Sequence, residues 1–325
     1  MKSPKCDSVP DQEATTPCGP KAELWGEYWG RAPADACTAE MPPAVREAIA
    51  ERWRAVFSSL NSGAVILDIA TGKGAVLEIG RAALPPGAAV TMTGLDRADP
   101  PAGSLGAVFQ SGAARFIGNA DAARTPFADQ SQDLVTSQFG VEYAGLEHAT
   151  DEAARVCRDR LVFLVHAKDG AVVRQNSAQA DQIGWILDEL GFAATLKSFF
   201  SERTTEKAGE IDRILKAMRE RAGREENPNL ISGLIGNAME LQDLADRTPA
   251  NEIASMIDGM EMRMRGHAAR MNALVRAAAS ADEMETLLRR LQAAGFGEAA
   301  ITPLQGANGQ IAGRWIEARR PRNAR

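Results

Sequence analysis

The side chains whose types and positions could do chemistry are few. His166, one of three histidines in the chain, follows the apolar run Leu161-Val162-Phe163-Leu164-Val165 and precedes Ala167-Lys168-Asp169-Gly170. An imidazole there could take a proton from a hydroxyl, amine or thiol near neutral pH, or hold the following loop through structural hydrogen bonds. Asp68 lies in Val65-Ile66-Leu67-Asp68-Ile69, which runs into Ala70-Thr71-Gly72-Lys73-Gly74. An apolar strand, an acid, a Gly-x-Gly turn and a helix start bring backbone N–H groups close to a polar ligand. Asp96 comes about 20 residues after those glycines, where an acid can accept both hydroxyls of a ribose. Neither a Ser-His-Asp order nor a paired set of metal carboxylates stands out, so no metal site is expected.

These residues need a sheet to position them. Apolar, β-branched runs predict strands over 64–69, 89–95, 114–118, 133–138 and 160–167, with helices between them. The helix after Gly74 ends before Pro85-Pro86, and an amphipathic helix over 42–60 carries Val45, Ile49, Trp53, Val56, Phe57 and Leu60 on one stripe. This alternation argues for a doubly wound, mostly parallel α/β sheet. From about 171 to 280 strand patterns vanish. Helices are expected over 178–190, 193–200, 207–221, 230–246, 250–260 and 262–279. Their stripe holds Ile211, Ile214, Leu215, Met218, Met256, Ile257, Met260, Met264, Met271 and Leu274. Methionines at this spacing form core, and the inner face of a helical lid can also touch a bound molecule. A last helix over 284–291 stops at Gly295, and strands over 296–304 and 311–318 flank an Asn308-Gly309 hairpin signal.

In order from about Ala64 to Asp169, resuming near Ala281, the sequence resembles the class I S-adenosylmethionine-dependent methyltransferases. The resemblance implies a Rossmann-like sheet of seven strands, ending in a hairpin with one antiparallel strand. It implies that Asp68, Thr71, Gly72 and Gly74 hold the amino-acid end of S-adenosylmethionine. Asp96, with Arg97 beside it, would take the ribose, and Asp121 and Ala122, with Phe127, would frame the adenine. Gln138 and Phe139 would lie beside the reactive methyl. His166, Tyr143 and Glu142 are then the candidate catalytic residues, the last two as groups that orient an acceptor or complete the cofactor pocket. Lys73 departs from the family pattern, and its stem is expected to reach solvent. A nicotinamide cofactor fits less well, because the third glycine of the dinucleotide fingerprint is replaced by Leu77 and the 121–133 segment would have no role.

The expected organisation is a flexible segment over 1–22, a cofactor-binding α/β core with N-terminal cap helices over 23–170, a helical insertion over 171–280 and a completing helix and hairpin over 281–325. Leu24-Trp25-Gly26-Glu27-Tyr28-Trp29-Gly30 has two roles open to it, anchoring its helix to the sheet or closing over cofactor and substrate. With 45% hydrophobic residues the chain can bury a sizeable core. Its 37 Lys and Arg against 43 Asp and Glu give a net charge of −6, so no nucleic-acid partner is expected, and the basic end 319–325 reads as a solvated tail. No apolar run is long enough for a membrane helix and no leader segment is evident, so a cytoplasmic protein is expected. Cys6, Cys18, Cys37 and Cys157 show no metal-ligand spacing and are expected to be reduced thiols, with a disulfide among the first three left open and Cys157 on a buried helix face. The activity expected is methyl transfer to an O, N or S nucleophile of a small or medium-sized metabolite enclosed by the insertion. The alternatives are a peptide or protein methyltransferase, or a non-catalytic S-adenosylmethionine-binding protein whose insertion forms a homodimer or partner surface.

Overall fold

The computed structural model describes residues 20–307 and 309–321. Residues 1–19, Asn308 and 322–325 lie outside the described residues. So do Cys6, Cys18, most of the 1–22 segment and the end of the basic tail. Two helices lead in, α1 (Pro20–Arg31) and α2 (Pro43–Ser58). The sheet domain then alternates β1 (Val65–Ile69), α3 (Ala75–Ala83), β2 (Thr91–Leu95), α4 (Ala107–Gln110), β3 (Arg115–Ile117), β4 (Gln132–Gln138), α5 (Leu146–Val156) and β5 (Cys157–Val165). Helices α6 (Ala171–Gly184), α7 (Phe192–Glu202), α8 (Thr205–Ala222), α9 (Asn229–Leu244) and α10 (Ala250–Ala277) follow. The chain closes with α11 (Ala281–Ala293), β6 (Glu298–Gln305) and β7 (Ile311–Arg319).

The seven strands form one sheet in the order β3-β2-β1-β4-β5-β7-β6. All neighbours from β3 to β5 are parallel, and β7 runs antiparallel to both β5 and β6. This is the Rossmann-like arrangement with a terminal hairpin. The chain moves outward from β1 to β3 and returns to β4 on the other side of β1. A crevice therefore opens at the carboxyl ends of β1 and β4.

Alternation along the central strands sends Leu67, Ile69, Leu161 and Phe163 to one face and Ile66, Val162 and Leu164 to the other. The first face is covered by α5 and α11 through Ala149, Ala153, Met284 and Leu287. The second is covered by α2 and α3 through Val45, Trp53, Phe57 and Leu77. A third apolar cluster, from Ile183 to Met264, belongs to α6–α10 alone. Fully buried Met218, Ile231, Ile253 and Ile257 each contribute about 1.5–3 kcal/mol there, so these helices hold together through their own core.

Four expectations need correction. Cys157 is buried but opens β5 rather than lying on a helix, because α5 passes into the strand with no intervening loop. The helices expected over 250–260 and 262–279 are one 28-residue helix, since the buried series Ile257, Met260, Met264 continues through the supposed break. Met256 falls off that stripe and is 45% exposed. Lys73 does not reach solvent: it is buried, and its ammonium donates to the Ala32 carbonyl at 2.5 Å. Among the described residues no helix is long and apolar enough to cross a membrane.

Candidate active site

The crevice opens into a cavity of about 1330 Å³. Its floor is the end of β1. There Asp68 accepts the Thr71 hydroxyl at 2.6 Å and the Thr136 hydroxyl at 2.7 Å. Thr136 is the β4 residue in register with Asp68, so sheet pairing itself delivers the second donor. Burial, opposed by these two hydroxyls and reinforced by Asp96, pushes the Asp68 carboxyl up to about 7. Asp96, at the end of β2, accepts the Gly72 N–H at 2.7 Å on one oxygen and the Ala98 N–H at 2.8 Å on the other. Burial raises its carboxyl as well, against those N–H groups and that of Arg97. Both acids line the cavity.

Glycine is required in this floor. Gly72 has φ +55, and a β-carbon on it would stand 2.7 Å from the Trp29 indole. Gly94, beside Asp68 in the register, would place a β-carbon 2.7 Å from the Thr71 hydroxyl. Two non-glycine residues, Ala70 after β1 and Phe139 after β4, are also left-handed, both with φ +53, and both line the cavity. Held strain of this kind concentrates at functional sites.

At the end of β4, Gln138 accepts the Trp53 indole N–H at 2.6 Å, which leaves its amide N–H groups for the cavity. The short 3-10 turn Val141–Ala144 carries Glu142 and Tyr143. Glu142 Oε1 lies 2.7 Å from His166 Nδ1 and accepts the His166 backbone N–H at 3.1 Å. Glu142 Oε2 is buried with no hydrogen-bond partner among the described residues. The His166 ring stacks on Phe139 with centroids 4.4 Å apart, and Tyr143 meets it edge-on at 6.4 Å. Burial, then Glu142, holds the Tyr143 hydroxyl well above its ordinary range, so it stays protonated. Burial, then Glu142 and Asp96, pushes the Cys37 thiol on the same wall up to about 12.

The sequence-derived residues therefore gather around one chamber, with one group at its margin. Asp68, Thr71, Asp96, Arg97, Ala122, Gln138, Phe139, Glu142, Tyr143 and His166 line it, and Gly72 and Gly74 shape its turn. Asp121 is not on the wall. It pairs with Arg97 at 3.1 Å and accepts the Ala123 N–H, which orients the loop carrying Ala122. Phe127 packs into the core instead. In the aromatic segment, Trp29 is buried against the glycine turn, while Trp25 and Tyr28 form part of the wall.

Of the wall residues on α6 and α10, the sequence marks only Met271 and Leu274, as members of a helical stripe. The far end of α10 contributes His267, Arg270, Met271, Leu274 and Arg276, and α6 contributes Val172 and Asn176. His267 is half-buried, with its imidazole lowered by burial and then by Arg270. The only signal for this wall was the methionine stripe, whose last member Met271 leaves the helical core and meets the cavity. His148 is exposed.

A family model described as a methyltransferase domain matches residues 67–165. These residues run from β1 to the end of β5. No curated protein sequence matches the chain. Among solved structures, the chain is similar to a complex between the Haloferax volcanii Trm112 methyltransferase activator and a methyltransferase, at 20% identity and TM-score 0.34, covering 45% of this chain and 60% of that one. It is also similar to a SAM-dependent methyltransferase from Aquifex aeolicus (17% identity, TM-score 0.34, 42% and 75% covered). A third is the geranyl diphosphate C-methyltransferase from Streptomyces coelicolor (15%, TM-score 0.38, 50% and 73% covered). At these TM-scores none of the three bears on the activity of this chain.

Proposed function

We propose that this chain, whose residues 67–165 form a class I S-adenosylmethionine-dependent methyltransferase domain, transfers the methyl group of S-adenosylmethionine to a small molecule held under α10. The observation that carries this reading is the single chamber joining the Asp68–Gly72–Asp96 floor to His166 and the inner face of α10. At about 1330 Å³ it exceeds the roughly 300–1,000 Å³ that one ligand of ordinary size fills, so it has room for a donor and an acceptor together.

The residues present fit the donor. Asp68 supplies a carboxylate for its ammonium group, and Asp96 supplies one for its ribose hydroxyls. Ala120 and Ala122 offer apolar lining for the adenine, and the left-handed Gly72 lets the backbone approach. S-adenosylmethionine supplies a methyl group already activated on a sulfonium. The chain has to align the acceptor, exclude water and remove a proton where the acceptor bears one. Trp29 seals the floor, α10 roofs the chamber, and His166 is the base.

Incubating the full chain with isotopically labelled donor and a panel of hydroxyl-, amine- and thiol-bearing metabolites, with peptides alongside, tests the reading. Label is expected in a metabolite, with turnover reduced at least about 100-fold in His166→Ala. Label in peptides alone would move the acceptor outside the chamber. Donor binding with no label in either arm would favour a non-catalytic binding protein.

A further inference from the structure

We infer that Glu142 is a positioning residue for His166, holding the imidazole so that Nε2 takes the proton of the acceptor nucleophile. This rests on the proposed methyl transfer with His166 as base. The inference itself concerns how the imidazole is held.

His166 is fixed from two sides. Its carbonyl accepts the Ala279 N–H at 2.9 Å, and Ala279 returns its own carbonyl to the Lys168 N–H at 2.9 Å, so the exit of the helical insertion is zipped to the end of β5. On the other side, Glu142 Oε1 takes both the His166 backbone N–H and Nδ1. An ionised carboxylate only accepts hydrogen bonds, so in the neutral imidazole Nδ1 carries the proton and Nε2 the lone pair. Stacking on Phe139 fixes the plane of the ring.

A neutral imidazole oriented by a carboxylate takes a proton at Nε2, and the carboxylate stabilises the imidazolium that results. Glu142 Oε2, buried and unpartnered, is an energetic cost of the kind that structural positions avoid and working sites keep. In the step this implies, Nε2 takes the acceptor proton and the electron pair this leaves on the nucleophile forms the bond to the methyl carbon. The methyl–sulfur bond breaks with its electron pair left on sulfur, which becomes a neutral thioether. An acceptor that bears no proton on its nucleophile has no use for this pair. Tyr143 and Cys37 lie on the same wall, and burial keeps both protonated well above neutrality, while Asp68, Asp96 and His267 also line the chamber. The acid limb of kcat reports protonation of the base that takes this proton. Saturating donor removes any contribution from Asp68.

Two measurements test this. In the wild-type protein, ring nitrogen-15 spectra assigned with His166→Asn are expected to show Nδ1 protonated and Nε2 unprotonated above the limb. An Nε2–H tautomer would overturn the inference, whether or not the protein turns over. In Glu142→Gln, kcat at saturating donor is expected to fall about 100-fold, with the acid limb displaced to lower pH and donor affinity unchanged. Glu142→Asp is expected to restore part of the rate. An equal loss at every pH with an unmoved limb would mark Glu142 as structural only. Full loss in His166→Ala beside full activity in Glu142→Gln would keep the base and remove the positioning role. Loss of donor binding in the wild type would instead count against the proposed function.

Discussion

The indole of Trp29 lies directly on the Gly72 α-carbon, so near that any β-carbon there would be 2.7 Å from its ring. A residue of α1, far back in the sequence, thus seals the turn proposed to hold the donor, and Lys73 ties the end of the same segment down through the Ala32 carbonyl. Gly72→Ala should therefore carry two costs, about 1–2 kcal/mol for a left-handed backbone and the displacement of the indole. Gly87 is a control, since its φ is +77 but nothing lies within 4 Å of an added β-carbon. Both variants are expected to lose stability in thermal unfolding. Only Gly72→Ala is expected to weaken S-adenosylhomocysteine binding, by at least about tenfold in calorimetry.

Asp68 makes donor binding depend on pH. In the empty chamber its carboxyl titrates at about 7, and a bound ammonium would hold it ionised. Affinity is then expected to rise about tenfold per pH unit below 7 and to level off above it, with a proton released on binding. The sign for stability is the reverse. The native carboxyl binds its proton more tightly than the unfolded one, so ligand-free stability falls as pH rises from about 4 to about 7 and is flat beyond. Calorimetry in buffers of different ionisation enthalpy checks the first, and denaturant unfolding checks the second. Asp68→Asn should flatten both curves.

Thr136 satisfies Asp68 from the neighbouring strand. Thr136→Val keeps the shape and removes the donor, which leaves a buried carboxyl oxygen unpaired at a cost of about 1–3 kcal/mol. Thr286→Val, whose hydroxyl bonds the Asp282 carbonyl at an exposed helix position, is expected to change stability by less than about 0.5 kcal/mol. Urea unfolding of the two variants side by side checks the difference.

The roof of the chamber can be probed with two methionines on one helix. Met271 is buried and lines the cavity, whereas Met262 is 68% exposed. Met271→Ala is expected to raise the acceptor KM several-fold and leave donor affinity unchanged. Met262→Ala is expected to change neither. Equal effects on both constants would place Met271 against the donor instead.

The residues of the floor were legible because their signal is local. Asp68, Gly72 and Gly74 share one turn, and Asp96 ends the next strand, so pattern and spacing alone put them at one sheet edge. The Glu142–His166 pair was not legible as a pair. It joins residues separated in sequence and depends on the β4–β5 register together with a 3-10 turn that no period announces. The left-handed Ala70 and Phe139 carry no glycine to mark them. The roof was hidden for another reason: a methionine stripe reads alike whether it faces a helical core, as at Met260 and Met264, or an open chamber, as at Met271. Cys157 was assigned to a helix because α5 and β5 abut, and an apolar residue at such a junction fits either period.

Titrating S-adenosylhomocysteine into the full chain, beside Asp96→Ala, tests the central claim most directly. The expected result is saturable binding of one molecule to the wild type, weakened at least about tenfold in the variant. No heat of binding in the wild type between about pH 6 and pH 8, or equal affinity in the two proteins, would contradict it.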